Sequence, residues 1–171
     1  GPGEVVGFGL SNDERVGSTA SFGPAFRIAR RAGLVGVPHG GELLGPTSVR
    51  EVVSTLAPAR LGHGVRTSED PALLRAVVDA GIALEVCPTS NVHLGVYTDF
   101  SQVPLPTLLS VGARIALAAD DPLLFRSRLV AQYEVARDVF GLSDEALASL
   151  ARSSIDASLA SASHKAAWKA D

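Results

Sequence analysis

The chain has 171 residues, with Lys and Arg numbering 15 against 18 Asp and Glu, a formal charge of −3, and 46% hydrophobic residues. That balance argues against a sequence-independent nucleic-acid binder, whose affinity rests on excess Lys and Arg, and the apolar share excludes a disordered chain. No apolar run approaches the roughly 18 residues that span a bilayer, and a lone cysteine, Cys87, points to a reducing compartment, the cytoplasm.

The predicted elements alternate. Val5 to Leu10 is a short apolar run of the kind that forms a buried strand. Leu34 to Pro38, Arg60 to His63, Ile82 to Cys87 and Arg114 to Ala118 repeat it, rich in the Val, Ile, Leu and Ala of strands covered on both faces. Helical spacing fills the gaps. Ala25, Ile28, Ala29 and Ala32 share one face, with Gly33 as the stop. Val49, Val52, Val53 and Leu56 repeat the pattern before Pro58, then Leu73, Leu74, Val77 and Val78 before Gly81, then Leu105 to Val111 before Gly112. A longer helix is expected from Phe125 to Phe140, closed by Gly141. Ser143-Asp144-Glu145 reads as the capped start of another, running to Leu159. The Ala- and Ser-rich tail completes a peripheral helical region over 141–171, whose helices Trp168 and Phe140 are expected to pack.

Strand ends at Leu10, His39, His63, Pro88 and Asp120 stand 24 to 32 positions apart. This is the cadence of strand–loop–helix units, and hence of right-handed crossovers and a parallel sheet. Two architectures fit. An open doubly wound sheet normally carries a Gly-rich phosphate loop after its first strand, and Gly7 and Gly9 begin no such pattern. A (β/α)8 barrel needs eight strands, so these units would be strands 4–8, its C-terminal part. The chain has no methionine and opens Gly1-Pro2-Gly3, from which a missing upstream portion is expected. Residues 1–171 are thus expected to form one partial barrel domain with strands 1–3 absent.

Ionisable residues gather just past the strand ends: His39 and Glu42, His63, then Asp120 and Asp121. Barrel enzymes build their sites there, and histidine with carboxylate suits a hydrolytic zinc with one open position. Singly, each residue has a plainer reading. A strand-end histidine is often structural, and Asp-Asp-Pro is a common helix start.

The motifs are more specific. His39-Gly40-Gly41-Glu42, Gly62-His63-Gly64-Val65-Arg66, Leu84 to Asn91 (LEVCPTSN) and Asp120-Asp121-Pro122 occur in that order, supported by Val5-Val6-Gly7-Phe8 leading to Asp13-Glu14. Together they resemble the adenosine deaminase family, zinc-dependent purine deaminases on a (β/α)8 barrel. The resemblance implies that His39 and Asp120 ligate Zn2+. It implies that Glu42 donates a proton to the purine ring nitrogen, that His63 orients the attacking water, and that Asp121 hydrogen-bonds the substrate. A glutamate with that task needs a buried setting. The implied reaction takes adenosine, or a related 6-aminopurine nucleoside, to the 6-oxo product and ammonia.

Three departures accompany the match. The family's His-x-His metal ligands have no counterpart here. Gly9 and Asn12 stand where adenosine-specific members carry Asp and a Gly whose backbone contacts the purine; Asn12 is expected to keep that substrate contact, and the change leaves adenine and aminodeoxyfutalosine open as substrates. Ala119 replaces a common Ser. His93, His164 and the arginines 15, 27, 30 and 31 read as surface residues, and Cys87 as core. The partner expected is a small purine, with neither nucleic acid nor membrane. The rival reading is a non-catalytic fragment that self-associates through open strand edges, and the isolated chain is expected to bind zinc weakly.

Overall fold

The computed structural model describes residues 5–11 and 13–170. Two compact units meet within one strand, residues 1–84 and 85–171. The first contains β1 (Gly7–Leu10), α1 (Gly23–Arg31), β2 (Val35–Gly40), α2 (Pro46–Leu56), β3 (Arg60–His63), α3 (Pro71–Asp79) and the start of β4 (Ala83–Val86). The second continues with α4 (Pro88–His93), α5 (Leu105–Ser110), β5 (Arg114–Leu117), α6 (Pro122–Phe125), α7 (Leu129–Asp138), α8 (Asp144–Ala157) and α9 (Ala162–Ala170). Strand order in the sheet follows chain order, and β1–β2 and β2–β3 pair in parallel. This succession of strand, helix and parallel strand is that of consecutive (β/α)8 barrel units. Among the described residues no helix is long and apolar enough to cross a membrane.

Local chemistry explains the helix boundaries. Helices α1 to α6 each carry a proline in the first turn, where the missing N–H costs nothing. Asp70 caps α3 by accepting from the backbone N–H of Ala72 and Leu73, both at 3.0 Å. Those hydrogen bonds, Leu73's foremost, and the Arg50 guanidinium hold the Asp70 carboxyl below its usual range. Ser143 caps α8 as its sequence suggests.

Four expectations need correction. The buried face of α1 runs through Gly23, Phe26 and Ala29, while Ile28 is 67% exposed. Phe26 wins because its ring packs edge-on to Phe8, with centroids 4.9 Å apart. Cys87 does not lie inside a strand: it stands at the N-cap position of α4, a short helix that the sequence pattern does not announce. The helix expected over Phe125–Phe140 is two helices. Arg126 takes a left-handed conformation (φ 50°), and the buried Ser127 donates its hydroxyl hydrogen to Ala119 O at 2.7 Å. That bond turns the chain back to the end of β5 before α7 begins. Trp168, expected to pack a terminal helix, is half exposed and stacks on His164 of its own helix.

In the second unit, the fully buried Gln132 of α7 ties down the start of α4. Its Oε1 accepts from Thr89 N at 3.1 Å and its Nε2 donates to Thr89 Oγ1 at 2.8 Å. Gln132→Leu keeps the bulk and removes both bonds, leaving partly buried polar groups unmatched. It should cost about 1–3 kcal/mol in denaturant unfolding, and a neutral result would show that the pair contributes no net stability.

Candidate active site

The register between β2 and β3 sets the site in the first unit. His39 pairs with Gly62, and Gly40 pairs with His63. The His39 ring lies over the bare backbone of Gly62, where an added Cβ would stand 2.9 Å from Cγ and 3.0 Å from Nδ1. On its other side, Nδ1 lies 3.2 Å from the carbonyl oxygen of Leu10 at the end of β1. A carbonyl only accepts, so Nδ1 carries the hydrogen and a neutral ring keeps its lone pair on Nε2. This is how a metal-binding histidine is ordinarily held, and His39 fits that role.

His63 is 2% exposed and has a left-handed backbone (φ 60°), uncommon for a side chain of its size. Its Nε2 is 3.3 Å from Oε1 of Glu42, itself 6% exposed. The rings of His39 and His63 are centred 5.2 Å apart. Glu42 reaches this position through a tight turn. Gly41 has φ +73°, and a Cβ there would fall 2.5 Å from Val49 Cγ2. Glycine is the residue that fits.

The loop carrying Glu42 is held from both sides. Arg66 donates from Nη1 to Leu43 O at 2.7 Å, while its Nε reaches Glu69 at 2.7 Å. Glu14 accepts on one oxygen from the N–H groups of Glu42, Leu43 and Leu44. Next to it, Asp13 receives both Nε and Nη2 of Arg15 at 2.8 Å, and these bonds bring its carboxyl down to about 2. A cavity of about 270 Å³ adjoins the end of β1, with Leu10, Glu14, Phe22 and His39 in its wall.

In the second unit, Asp120 and Asp121 follow β5. Asp120 is exposed and again left-handed (φ 59°). Asp121 accepts from Leu124 N at 3.3 Å and so caps α6, as an Asp before Pro commonly does. Of the residues expected at the site, the fold brings His39, Glu42 and His63 together in one unit and sets Asp120 and Asp121 side by side in the other. Asn12 lies outside the described residues. Cys87 is buried and donates toward Glu85 O at 3.4 Å, and His93 and His164 are exposed. Sequence reasoning gave Glu14 and Arg66 no role, because both act on backbone groups.

The Gly62–His39 contact can be tested by a double-mutant cycle. Gly62→Ala should destabilise by about 1–3 kcal/mol through overpacking. With His39→Ala as background the same change should cost less than about 0.5 kcal/mol, since the obstructing ring is gone. Equal costs in both backgrounds would mean that the glycine serves something other than the histidine.

The family model for adenosine deaminase matches residues 2–170. A putative adenosine/adenine deaminase of Streptomyces virginiae is 56% identical over 156 residues, 91% of this chain and 46% of that protein. The crystal structure of an adenine deaminase from Arthrobacter aurescens superposes with a TM-score of 0.92 at 31% identity, covering 96% of this chain and 50% of the other. An amidohydrolase from Burkholderia ambifaria, solved with bound Zn, gives a TM-score of 0.89 at 27% identity over 98% of this chain and 47% of its own. The chain spans about half the length of the relatives it matches.

Proposed function

The chain belongs to the adenosine deaminase family, and we propose that it is the C-terminal half of an enzyme that hydrolyses the 6-amino group of a purine. The observation that carries this reading is the buried Glu42–His63 pair, 3.3 Å apart beside the ring of His39. His39 and Asp120 would hold zinc, together with two histidines from a front portion that the family resemblance implies. The bound ion would supply an acidic water, so that hydroxide is available near neutral pH.

The protein's own side chains do the rest. Glu42 holds a proton for the ring nitrogen next to C6, so that the ring takes up charge as C6 is attacked. His63, held against Glu42, orients the water and receives its proton. Asp121 hydrogen-bonds the purine. Water adds at C6, the C–N bond breaks as ammonia leaves with the proton held by His63, and the remaining hydroxyl proton returns to Glu42 to give the 6-oxo purine. The shared narrow geometry at Glu42 is what a general acid needs, because proton transfer demands approach within hydrogen-bond reach. The single buried cysteine suits a reducing compartment such as the cytoplasm.

In the full-length enzyme, Glu42→Gln should lower kcat by about 10²- to 10⁴-fold with zinc still bound, because the side chain is a donor and not a ligand. Asp120→Asn should instead lower zinc content. Zinc loss in the first variant, or near-normal turnover, would remove Glu42 from its role.

The substrate needs its own test. Nucleosides are expected to turn over faster than the free base, while the names of the similar proteins, adenine deaminase among them, favour adenine as a second reading. Initial rates on adenosine, adenine and aminodeoxyfutalosine decide between them. The highest kcat/KM on adenine would overturn the nucleoside assignment and leave the chemistry standing.

A further inference from the structure

Glu14 makes the most unusual contact in the first unit. One of its oxygens, Oε2, accepts from three successive backbone N–H groups, of Glu42 at 3.2 Å, Leu43 at 2.8 Å and Leu44 at 2.8 Å. These donors lie 28 to 30 positions away in the chain. Its other oxygen, Oε1, is buried and has no hydrogen-bond partner among the described residues. Leaving a carboxylate oxygen unmatched in the interior is unfavourable.

We propose that Glu14 is a positioning residue for Glu42: its carboxylate fixes the loop between β2 and α2 and thereby sets where the proton donor stands. The inference rests on the reading of Glu42 as general acid. Three consecutive amides converging on one anion form a nest, and here the anion comes from the protein itself. The first of those amides is Glu42's own, so the anchor acts one residue's backbone away from the reacting side chain. The same loop is held at a second point, where Arg66 donates to Leu43 O and is braced by Glu69. Two anchors on different backbone groups restrict the loop more than one does. The segment presenting Glu14 turns where Val16 N donates to Asp13 O at 3.1 Å, beside the exposed Asp13–Arg15 pair. The purpose is geometric. A general acid displaced by about 1 Å loses on the order of 10²-fold in rate, and Glu42 lies in a loop that has otherwise only glycines before it.

Two variants of the full-length zinc enzyme test this. Glu14→Ala removes the acceptor, and Glu14→Gln keeps one oxygen able to accept from the same amides. Glu14→Ala should lower kcat by about 10- to 100-fold with KM and zinc content within about threefold. Glu14→Gln should recover at least half of that loss on a logarithmic scale. Hydrogen exchange at the amides of residues 42–44 should quicken in Glu14→Ala, slow again in Glu14→Gln, and stay unchanged elsewhere in β2 and β3. Wild-type kcat in Glu14→Ala, loss confined to KM, or equal damage in both variants would overturn the proposal. Glu42→Gln serves as the reference. If that variant turns over normally, the general-acid reading has failed; if it is inactive while Glu14→Ala is not, only the positioning role has.

Discussion

The pairing of β2 with β3 in a single parallel register is the constraint on which the first unit's site depends. Side chains alternate along a strand, so a slip of one residue would carry His39 and His63 to the opposite face. Held in place, the register sets each histidine opposite a glycine of the neighbouring strand. Gly62 leaves the space that the His39 ring occupies, whereas a Cβ at Gly40 would meet Val52 and Leu61 of the core. The two glycines weaken the strands locally, since glycine loses more backbone freedom on folding than any other residue. The cost is met by buried Val49, Val52, Leu61 and Val65 around the turn.

Two kinds of charge contact coexist in the molecule. At the surface, Asp13 with Arg15, Asp138 with Arg137 and Asp156 with Lys169 hold carboxyls below their usual range through hydrogen bonds from their partners. Such pairs stay solvated and screened, and contribute little to stability. The Glu42–His63 contact is of the other kind. Both groups are out of water, where an ionised side chain must be paired or neutral. The two side chains lie 3.3 Å apart and out of water, whereas each surface pair keeps its solvent.

Much of this architecture was legible in the sequence, for identifiable reasons. Strand positions follow from short apolar runs, and strand ends from the glycines and prolines that bound them. His39, Glu42 and His63 stood out because they sit in glycine-rich motifs whose order along the chain is specific, although each residue singly has a plainer reading. What failed were judgements of rotation and continuity. The buried face of α1 turns on Phe26, whose partner Phe8 lies on another element, and periodicity weighs Ile28 as heavily. The break at Arg126 depends on a hydroxyl reaching a carbonyl eight positions back, which no local pattern encodes. Glu14 was invisible for a related reason. Its partners are backbone amides, and every residue but proline has one.

Backbone strain separates the functional from the merely structural, provided that it is read with its surroundings. His63 and Asp120 both adopt positive φ at the ends of their strands, and so do Ala57 and Arg126 elsewhere. A non-glycine residue held there carries about 1–3 kcal/mol of strain, which glycine would relieve. Ala57 follows the last turn of α2, where such a conformation ends the helix, and its methyl group has no chemistry to offer. Strain alone therefore marks a turn. At His63 the chain already spends a glycine on either side, Gly62 and Gly64, and still keeps an imidazole at the strained position between them. Replacing it would relax the backbone and lose the partner of Glu42. The side chain, not the turn, is what the strain preserves at that position.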